Sequence, residues 1–292
     1  MHARAVAAAT TTALLGTTAF LLPAPDVRIG EGGERPTVIA HRGASAHAPE
    51  NTLAAVDKAA ELGIDWVEND VQRTKDGELV VLHDDSLQRT TDVEEVFPDR
   101  APWKVRDFTA AEIARLDAGS WFGAAYADAR VPTLEQYVRR VEHHHQKLLL
   151  EIKNPQLYPG IERQTLKLLS NEGWLDRRHL AGRLIVQSFN ADTVRTVHEL
   201  KPGVKTGFLG TPPVADLPTY ATFTDQINPS YGSLSAEYVS AVHAFTGPHG
   251  KPLEVFTWTV DTADTARLVA GYGVDGIITN APDVVRDALP EL

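Results

Sequence analysis

Cysteine is absent from all 292 residues of the chain. The protein therefore forms no disulfide, offers no thiolate nucleophile and cannot bind zinc through sulfur. A lipid-modified cysteine is excluded for the same reason. Positive charge is also scarce, since 28 Lys and Arg stand against 39 Asp and Glu and the formal net charge is −11. Because phosphate backbones are bound by a surplus of Lys and Arg, no nucleic-acid partner is expected.

The first 25 residues differ from the rest of the sequence. Arg4 precedes an uncharged run, rich in Ala, Thr and Leu, that extends to residue 22 and is typical of a secretory signal peptide. A membrane anchor at the N-terminus is the alternative, although the run is weakly hydrophobic for a bilayer span. The expected location is secreted or cell envelope. Residues 26–36 are predicted to be a linker, and residues 37–292 one domain without stable membrane insertion.

Downstream of the linker, the chain repeats a theme in which a short apolar strand precedes a helix. Strands are predicted at residues 38–40, 66–72, 148–152, 184–188, 204–209, 226–228, 254–259 and 276–279. Helices are predicted at about 53–62, 132–143, 160–172, 190–201, 235–245, 262–270 and 283–289. Eight apolar strands that alternate with helices favour a parallel sheet closed into a (β/α)₈ TIM barrel.

Two further patterns refine this fold. No Gly-x-Gly-x-x-Gly turn follows the first predicted strand, which disfavours the rival open sheet of dinucleotide-binding proteins. Residues 84–131 exceed what a loop and a helix need, so they are predicted to be a small insertion after the second strand. Because a barrel carries its active site at the carboxyl ends of its strands, this insertion is expected to shape a pocket.

Three acidic residues point to a metal site. Glu68 and Asp70 alternate along the second predicted strand and therefore share a face, while Glu151 lies near the end of the next barrel strand. Buried carboxylates repel one another unless a cation neutralises them. A set of oxygen ligands favours Mg²⁺ or Ca²⁺ over zinc or copper. The alternatives are a solvated charge for each acid, or an ion pair between Glu151 and Lys153 on one strand face.

Two histidines lie close to these acids. His41 and His83 each follow a strand-like run, and together they are candidates for a general acid and a general base. A hydrogen-bonded structural role is the alternative for either one alone. Arg42 and Lys153 add positive charge where an anion would bind. Carboxylates, a hard cation, basic side chains and paired histidines suit phosphoryl transfer better than acyl transfer.

Other side chains indicate a site less strongly. His143, His144 and His145 are consecutive near the end of a predicted helix, where successive side chains point about 100° apart and do not converge on one ion. Gln187 ends a predicted strand and is a candidate for lining the pocket. Trp258 is either barrel core, the safer assumption, or an aromatic wall for a substrate.

Nine motifs between Thr37 and Pro282 resemble, in the same order, those of the glycerophosphodiester phosphodiesterase family. They are His41-Arg42-Gly43, Pro49-Glu50-Asn51-Thr52, Glu68-x-Asp70-Val71, Thr74-Lys75-Asp76-Gly77, His83-Asp84, Arg89-Thr90-Thr91, Leu149-Leu150-Glu151-Ile152-Lys153, Gln187-Ser188-Phe189 and Trp258-Thr259-Val260. Each motif is weak alone, but the ordered set spans nearly all of the chain after the linker and is specific.

The resemblance implies a (β/α)₈ barrel with a small insertion after the second strand. It also implies one divalent cation, Mg²⁺ or Ca²⁺, held by Glu68, Asp70 and Glu151. The family's position for Glu50 is interpreted as supporting this site. One departure is Asn280, because many members carry Asp there, and this weakens a site role for that position.

The same resemblance implies acid–base roles for His41 and His83, without deciding which is the acid. Arg42 and Lys153 would bind phosphate. Gln187 and Trp258 complete the set of substrate-binding candidates. The expected partner is a small-molecule glycerophosphodiester, and the composition favours no particular oligomeric state.

The sequence therefore predicts a metal-dependent phosphodiesterase that cleaves glycerophosphodiesters, such as glycerophosphocholine, to an alcohol and sn-glycerol 3-phosphate. One alternative is a phospholipase D-like enzyme that acts on lysophospholipid or sphingomyelin. Another is a non-catalytic, phosphodiester-binding envelope protein. The second alternative is disfavoured because binding alone does not need both His41 and His83.

Overall fold

The structure, a computed structural model, describes residues 35–290. These residues form a barrel of parallel strands surrounded by helices. The predicted leader and nearly all of the predicted linker lie outside the described residues. The strands are β1 (Thr37–Ala40), β2 (Trp66–Arg73), β3 (Leu79–Val81), β4 (Lys147–Ile152), β5 (Leu184–Ser188), β6 (Lys205–Leu209), β7 (Gln226–Asn228), β8 (Glu254–Thr257) and β9 (Gly276–Thr279).

Helices alternate with these strands. The longer ones are α1 (Leu53–Glu61), α4 (Leu134–His143), α5 (Ile161–Asn171), α7 (Ala191–Leu200), α9 (Ala236–His243), α10 (Ala263–Gly271) and α11 (Pro282–Ala288). Four-residue helices lie at α2 (Val93–Val96), α3 (Ala110–Ile113), α6 (Arg177–Leu180) and α8 (Leu217–Tyr220). Among residues 35–290, no helix has the length and apolar character needed to cross a bilayer.

Strand pairing closes the sheet into a barrel. The parallel strands follow one another in the order β1, β9, β8, β7, β6, β5, β4, β2, and β2 pairs back onto β1 through Ile39 with Trp66 and Ala40 with Val67. The predicted (β/α)₈ TIM barrel is thus confirmed. Because all eight strands are parallel, their carboxyl ends meet on one face of the barrel.

The insertion after β2 begins as a β-hairpin. β3 runs antiparallel to the end of β2, with Val71 opposite Val81 and Arg73 opposite Leu79. The connecting turn places Gly77 at φ +93°, a backbone conformation that favours glycine. The chain therefore leaves the barrel at this turn, ahead of residue 84. The segment from this turn to residue 131, here called the excursion, has an apolar cluster of its own that includes Leu87, Phe108 and Leu116.

Two chemically different layers fill the inside of the barrel. The lower layer is apolar and consists of Ile39, Trp66, Leu149, Ile185, Phe256 and Ile278. Two positions further along these strands the same inward face carries mainly polar groups, because strand side chains alternate. These groups are His41, Glu68, Glu151, Gln187, Trp258 and Asn280. The sequence alternation thus places a polar cluster at the carboxyl ends of the strands.

The turn after β1 packs against α1. Thr52 caps α1 by accepting a hydrogen bond from the Ala55 amide. Gly43 has φ +76°, and a Cβ added to it would lie 2.6 Å from Ala55 atoms. Only glycine fits this contact, so the turn that carries His41 and Arg42 is held at a fixed distance from α1.

Candidate active site

The polar cluster lines a small pocket at the carboxyl ends of the strands. Its volume is about 90 Å³, and Phe189 is part of its wall. Eight of the predicted site residues line it: His41, Arg42, Glu68, His83, Glu151, Lys153, Gln187 and Trp258. A larger cavity of about 620 Å³ opens at the amino ends of the strands. Among its charged groups, Lys205 pairs with Glu254 and His243 with Asp275, and Arg35 donates to the backbone oxygen of Leu289. The chemistry is therefore assigned to the smaller pocket.

Glu68, Asp70 and Glu151 form a compact cluster of carboxylates. One oxygen from each lies within 4.8 Å of the others, and no other such group of potential metal ligands occurs among residues 35–290. The residues are 1%, 1% and 5% exposed. Asp70 and Glu151 are paired in register across β2 and β4. Asp70 Oδ1 is buried and makes no hydrogen bond, so it is free to bind a cation.

The charges of this cluster are not balanced by the chain alone. Burial raises the pKa of Glu68 well above its ordinary value, and the charges of Asp70 and Glu151 raise it further. Burial and the charge of Asp70 also raise the pKa of Glu151 to about 8. For Asp70, positive charge, mainly that of Arg42, outweighs burial and lowers the pKa. Three buried carboxylates this close together repel one another, and an oxygen-preferring divalent ion would offset that repulsion, so such an ion fits this site.

Two basic side chains border the carboxylates. Arg42 donates its backbone amide to Glu68 Oε2 at 2.9 Å, and its Nε lies 3.4 Å from Asp70 Oδ2. Lys153 Nζ lies 3.0 Å from Glu151 Oε1 and 3.8 Å from Asp70 Oδ1. The Glu151–Lys153 ion pair, considered from the sequence as the alternative to a metal site, is therefore present within the cluster of three acids. Both cations face the pocket, where they are available to an anion.

Asn51 orients one of the carboxylates. Its Nδ2 donates to Asp70 Oδ2 at 2.9 Å, and its Oδ1 accepts from the Asp70 amide at 3.3 Å. Asn51 adopts φ +59° and Arg42 φ +57°, and both values are uncommon for residues other than glycine. Backbone strain of this kind concentrates at functional sites, where the surrounding structure maintains it.

His41 is held by the last strand of the barrel. Its Nδ1 lies 2.7 Å from Asn280 Oδ1, just beyond β9, and its backbone amide donates to Thr279 O at 2.8 Å. Burial lowers the pKa of His41 to about 4, and the neighbouring Arg42 contributes in the same direction. His41 is therefore neutral at pH 7. Asn280, which the sequence departure from the family had set aside, is in contact with a candidate catalytic residue.

His83 is held by a carboxylate instead. Its Nδ1 lies 2.6 Å from Asp84 Oδ1, and Asp84 also accepts from Arg89 Nε at 2.7 Å. Burial opposes ionisation of Asp84, but the hydrogen bond from Arg89 prevails and lowers its pKa to about 2. Gln72 Nε2 fixes the backbone of this turn by donating to Leu82 O at 2.8 Å and His83 O at 3.2 Å.

Glu50 lies one step further from the pocket. It accepts from Arg42 Nη1 at 2.9 Å and from both Nη atoms of Arg89 at 2.8 Å. These bonds, chiefly that from Arg89, outweigh burial and lower the pKa of Glu50. Glu50 thus binds the guanidinium groups of Arg42 and Arg89 and does not belong to the group of three acids. Arg89 and Asp84 belong to quoted motifs, but the sequence assigned neither of them a role in the site.

Aromatic and amide side chains complete the wall. The rings of Phe189 and Trp258 meet edge to face with centroids 5.5 Å apart, and Phe189 is 49% exposed. Trp258 packs on the lower apolar layer and also borders the pocket, so it is part of both the barrel core and the pocket wall. Gln187 Oε1 accepts from Asn228 Nδ2 at 2.9 Å, which leaves the Gln187 amide nitrogen for the pocket.

The histidine run behaves as a surface feature. His144 pairs with Asp57 at 2.7 Å. His143, His144 and His145 form no group of metal ligands. The pocket and its surroundings instead bring together three buried acids that could hold a cation, two basic side chains, and two histidines with different hydrogen-bond partners.

Comparison with known proteins agrees with this layout. The model of the glycerophosphoryl diester phosphodiesterase family matches residues 41–284. A glycerophosphodiester phosphodiesterase of Caldanaerobacter subterraneus subsp. tengcongensis is 36% identical over 252 residues, which cover 85% of this chain and 95% of the relative. One from Bacillus subtilis is 35% identical over 265 residues, which cover 86% of this chain and 85% of the relative.

A solved structure shares the same architecture. It is an Oleispira antarctica phosphodiesterase in complex with the product sn-glycerol-3-phosphate, and the TM-score is 0.74 at 28% identity. The match covers 87% of this chain and 96% of that one. The similarity therefore extends over the barrel and its pocket rather than over one motif.

Proposed function

This chain belongs to the glycerophosphoryl diester phosphodiesterase family, and we propose that its activity depends on a divalent cation and on two histidines with separate roles. As a member, it is a phosphoric diester hydrolase. The observation that carries the proposal is that Glu68 and Glu151 line one pocket with His41 and His83, and that Asp70 lies within 4.8 Å of both acids. Mg²⁺ and Ca²⁺ are the cations whose ligand preference fits three carboxylates.

The cation site and the basic side chains divide the work of binding phosphate. A hard cation held by Glu68, Asp70 and Glu151 would offset charge on the phosphate and make a hydroxyl at the site more acidic. Because these acids would then be neutralised, Arg42 and Lys153 are released to donate to the remaining phosphate oxygens. The amide nitrogen of Gln187, the register partner of Glu151, would supply a further donor.

His41 is suited to act as the general base. Its ring is neutral at pH 7, because its pKa is lowered to about 4, and its Nδ1 is occupied by Asn280. Its Nε2 can therefore accept the proton of the attacking hydroxyl, whether that belongs to water or to the 2-position of glycerol. A lowered pKa makes it a weak base in the resting state, and a cation held by the three acids would compensate by making that hydroxyl more acidic.

His83 is suited to act as the general acid. Its Nδ1 faces the Asp84 carboxylate, which compensates a positive charge on the imidazole ring. The protonated ring can donate from Nε2 to the departing alkoxide. The difference in chemistry between their Nδ1 partners supports opposite roles for the two histidines.

The proposed substrates are glycerophosphodiesters such as glycerophosphocholine, with sn-glycerol 3-phosphate as a product. The pocket of about 90 Å³ suits a small glycerol phosphate moiety, with the alcohol extending towards Phe189. The Oleispira antarctica relative binds the same product. We also propose export from the cytoplasm, which the run after Arg4 supports. N-terminal sequencing of exported protein is expected to start after about residue 18, and recovery of intact Met1 from soluble cytoplasm would contradict export.

The decisive assay compares three substrates under one set of conditions. Glycerophosphocholine, lysophosphatidylcholine and sphingomyelin are incubated with the enzyme, with and without a chelator, and released alcohol and phosphate products are identified. We expect turnover of glycerophosphocholine to choline and sn-glycerol 3-phosphate. Preferential turnover of sphingomyelin or lysophosphatidylcholine would instead support the phospholipase D-like alternative.

A further inference from the structure

We propose that Asn280 is a positioning residue that holds His41 in a single tautomer, and that Asp261 enforces this by fixing the orientation of the Asn280 amide. The proposal rests on the proposed role of His41 as general base. It gives a function to a side chain that lies outside the set of predicted site residues.

The orientation of the Asn280 amide follows from its contacts with Asp261. Asn280 Nδ2 donates to Asp261 Oδ2 at 2.8 Å, and the Asn280 backbone amide donates to Asp261 Oδ1 at 2.8 Å. Thr279 Oγ1 donates to the same Oδ1 at 3.1 Å. A carboxylate only accepts hydrogen bonds, so it selects the amide nitrogen and turns the amide oxygen the other way.

The amide oxygen then determines the tautomer of His41. Asn280 Oδ1 accepts from Ser45 Oγ at 2.8 Å and lies 2.7 Å from His41 Nδ1. Because an amide oxygen cannot donate, Nδ1 must carry the hydrogen whether the ring is neutral or charged. Nε2 is therefore the nitrogen whose proton is exchanged.

The backbone makes this arrangement rigid. Asn280 O accepts from the Ala46 amide at 2.9 Å, and the His41 amide donates to Thr279 O at 2.8 Å. The turn after β1 and the end of β9 are thus joined on both sides of the His41–Asn280 pair. An amide at this position also adds no negative charge beside the ring, in contrast to the carboxylate that Asp84 presents to His83.

Two variants test the chain of contacts, and a third serves as a matched control. Asn280→Ala removes the acceptor. Asp261→Asn changes an exposed side chain and removes the group that selects the amide nitrogen, so it tests the proposal even if Asn280→Ala folds poorly. Ser45→Ala removes the other donor to the same oxygen but leaves the amide orientation in place.

The main readout is the tautomer itself. Long-range ¹H–¹⁵N spectra of the ¹⁵N-labelled, Mg²⁺-loaded enzyme distinguish Nδ1–H from Nε2–H, and the His41 signals are assigned by their loss in His41→Gln. We expect Nδ1–H alone in the wild type and in Ser45→Ala. In Asn280→Ala and Asp261→Asn we expect a mixture of tautomers. In kinetics, we expect kcat to fall about 10- to 100-fold in these two variants, the range for loss of an orienting partner, with KM within about twofold.

Several outcomes would overturn the proposal. An Nε2–H tautomer in the wild type would do so directly. Unchanged kcat and tautomer in both test variants would remove any positioning role, and a fall in kcat without a change of tautomer would assign the effect to general structure. Failure of the proposed function is distinguishable, because His41→Gln would then remain active whatever tautomer the spectra show.

Discussion

Arg89 binds Glu50 at two points, with each of its Nη atoms 2.8 Å from one carboxylate oxygen. Arg89 lies in the excursion after β2, and Glu50 lies in the loop between β1 and α1. The same guanidinium donates to Asp84, the partner of His83, and the same carboxylate accepts from Arg42. One ion-pair network therefore links the partner of His83, the proposed general acid, to Arg42, the proposed phosphate-binding side chain.

We expect Arg89→Met to lower kcat on glycerophosphocholine by about 10- to 100-fold, because Asp84 would lose the group that fixes its orientation. Arg89→Lys should recover only part of this loss, since an ammonium cannot replace the forked donors of guanidinium. If Arg89 acts through His83, the deficit should shrink on bis(p-nitrophenyl) phosphate, whose leaving group needs little protonation.

Arg130→Met provides the matched control for this experiment. Arg130 lies in the same excursion, but its side-chain hydrogen bonds go to the backbone oxygens of Ala127 and Ala129. Its kcat should equal that of the wild type. Equal losses in Arg89→Met and Arg130→Met would show that the excursion matters only as a whole.

The two histidines should separate on the same pair of substrates. His41→Ala and His83→Ala are each expected to lower kcat on glycerophosphocholine by about 10²- to 10⁴-fold, as for loss of a general acid or base. On bis(p-nitrophenyl) phosphate, His83→Ala should be largely rescued and His41→Ala should stay slow. Rescue of both to the same extent would contradict separate roles, and full activity of both would eliminate the two-histidine mechanism.

The acids were predictable because alternation is a local property. A strand places every second side chain on one face, so Glu68 and Asp70 share the barrel interior wherever β2 lies. Glu151 joins them because β2 and β4 are adjacent parallel strands, which the barrel prediction already contained. The fold and the grouping of the three acids therefore follow from periodicity and order along the chain.

The partners of the histidines were not predictable in this way. Asn280 is 239 positions from His41, and the contact depends on the pairing of β1 with β9 that closes the barrel. The direction of β3 was equally hidden, because Leu79–Val81 has the same apolar pattern in a parallel or antiparallel strand. Closure of the barrel decides the His41–Asn280 contact, and the turn after β2 decides the direction of β3. Neither closure nor turn geometry produces a periodic pattern in the sequence.

Removal of the cation is expected to abolish activity. Chelation followed by Mg²⁺ or Ca²⁺ should restore turnover, because the carboxylate ligands prefer hard ions. Binding should also raise the Tm of the wild type, since a ligand that binds only the folded state stabilises it. Glu68→Gln and Asp70→Asn should lose both the activity and the cation-dependent rise in Tm while remaining folded. Full turnover after exhaustive chelation would disprove cation dependence.

Stability without a cation should depend on pH through Glu151. Its pKa is raised to about 8 in the folded chain from 4.5, so between these values the folded state binds more protons than the unfolded state. The free energy of unfolding therefore falls as pH rises through this range. His41 has the opposite effect, but only between its folded pKa of about 4 and 6.5. Between pH 6.5 and 8, the effect of Glu151 on the free energy of unfolding can therefore be measured without a contribution from His41.

We expect Glu151→Gln to show a flatter pH dependence of the free energy of unfolding than the wild type from pH 6.5 to 8. Urea unfolding in the presence of a chelator at several pH values in this window measures the difference. Added Mg²⁺ or Ca²⁺ should stabilise the wild type more at pH 8 than at pH 6.5, because binding displaces the proton that burial retains on Glu151. Parallel curves for wild type and Glu151→Gln would mean that Glu151 is ionised in the folded chain without a cation.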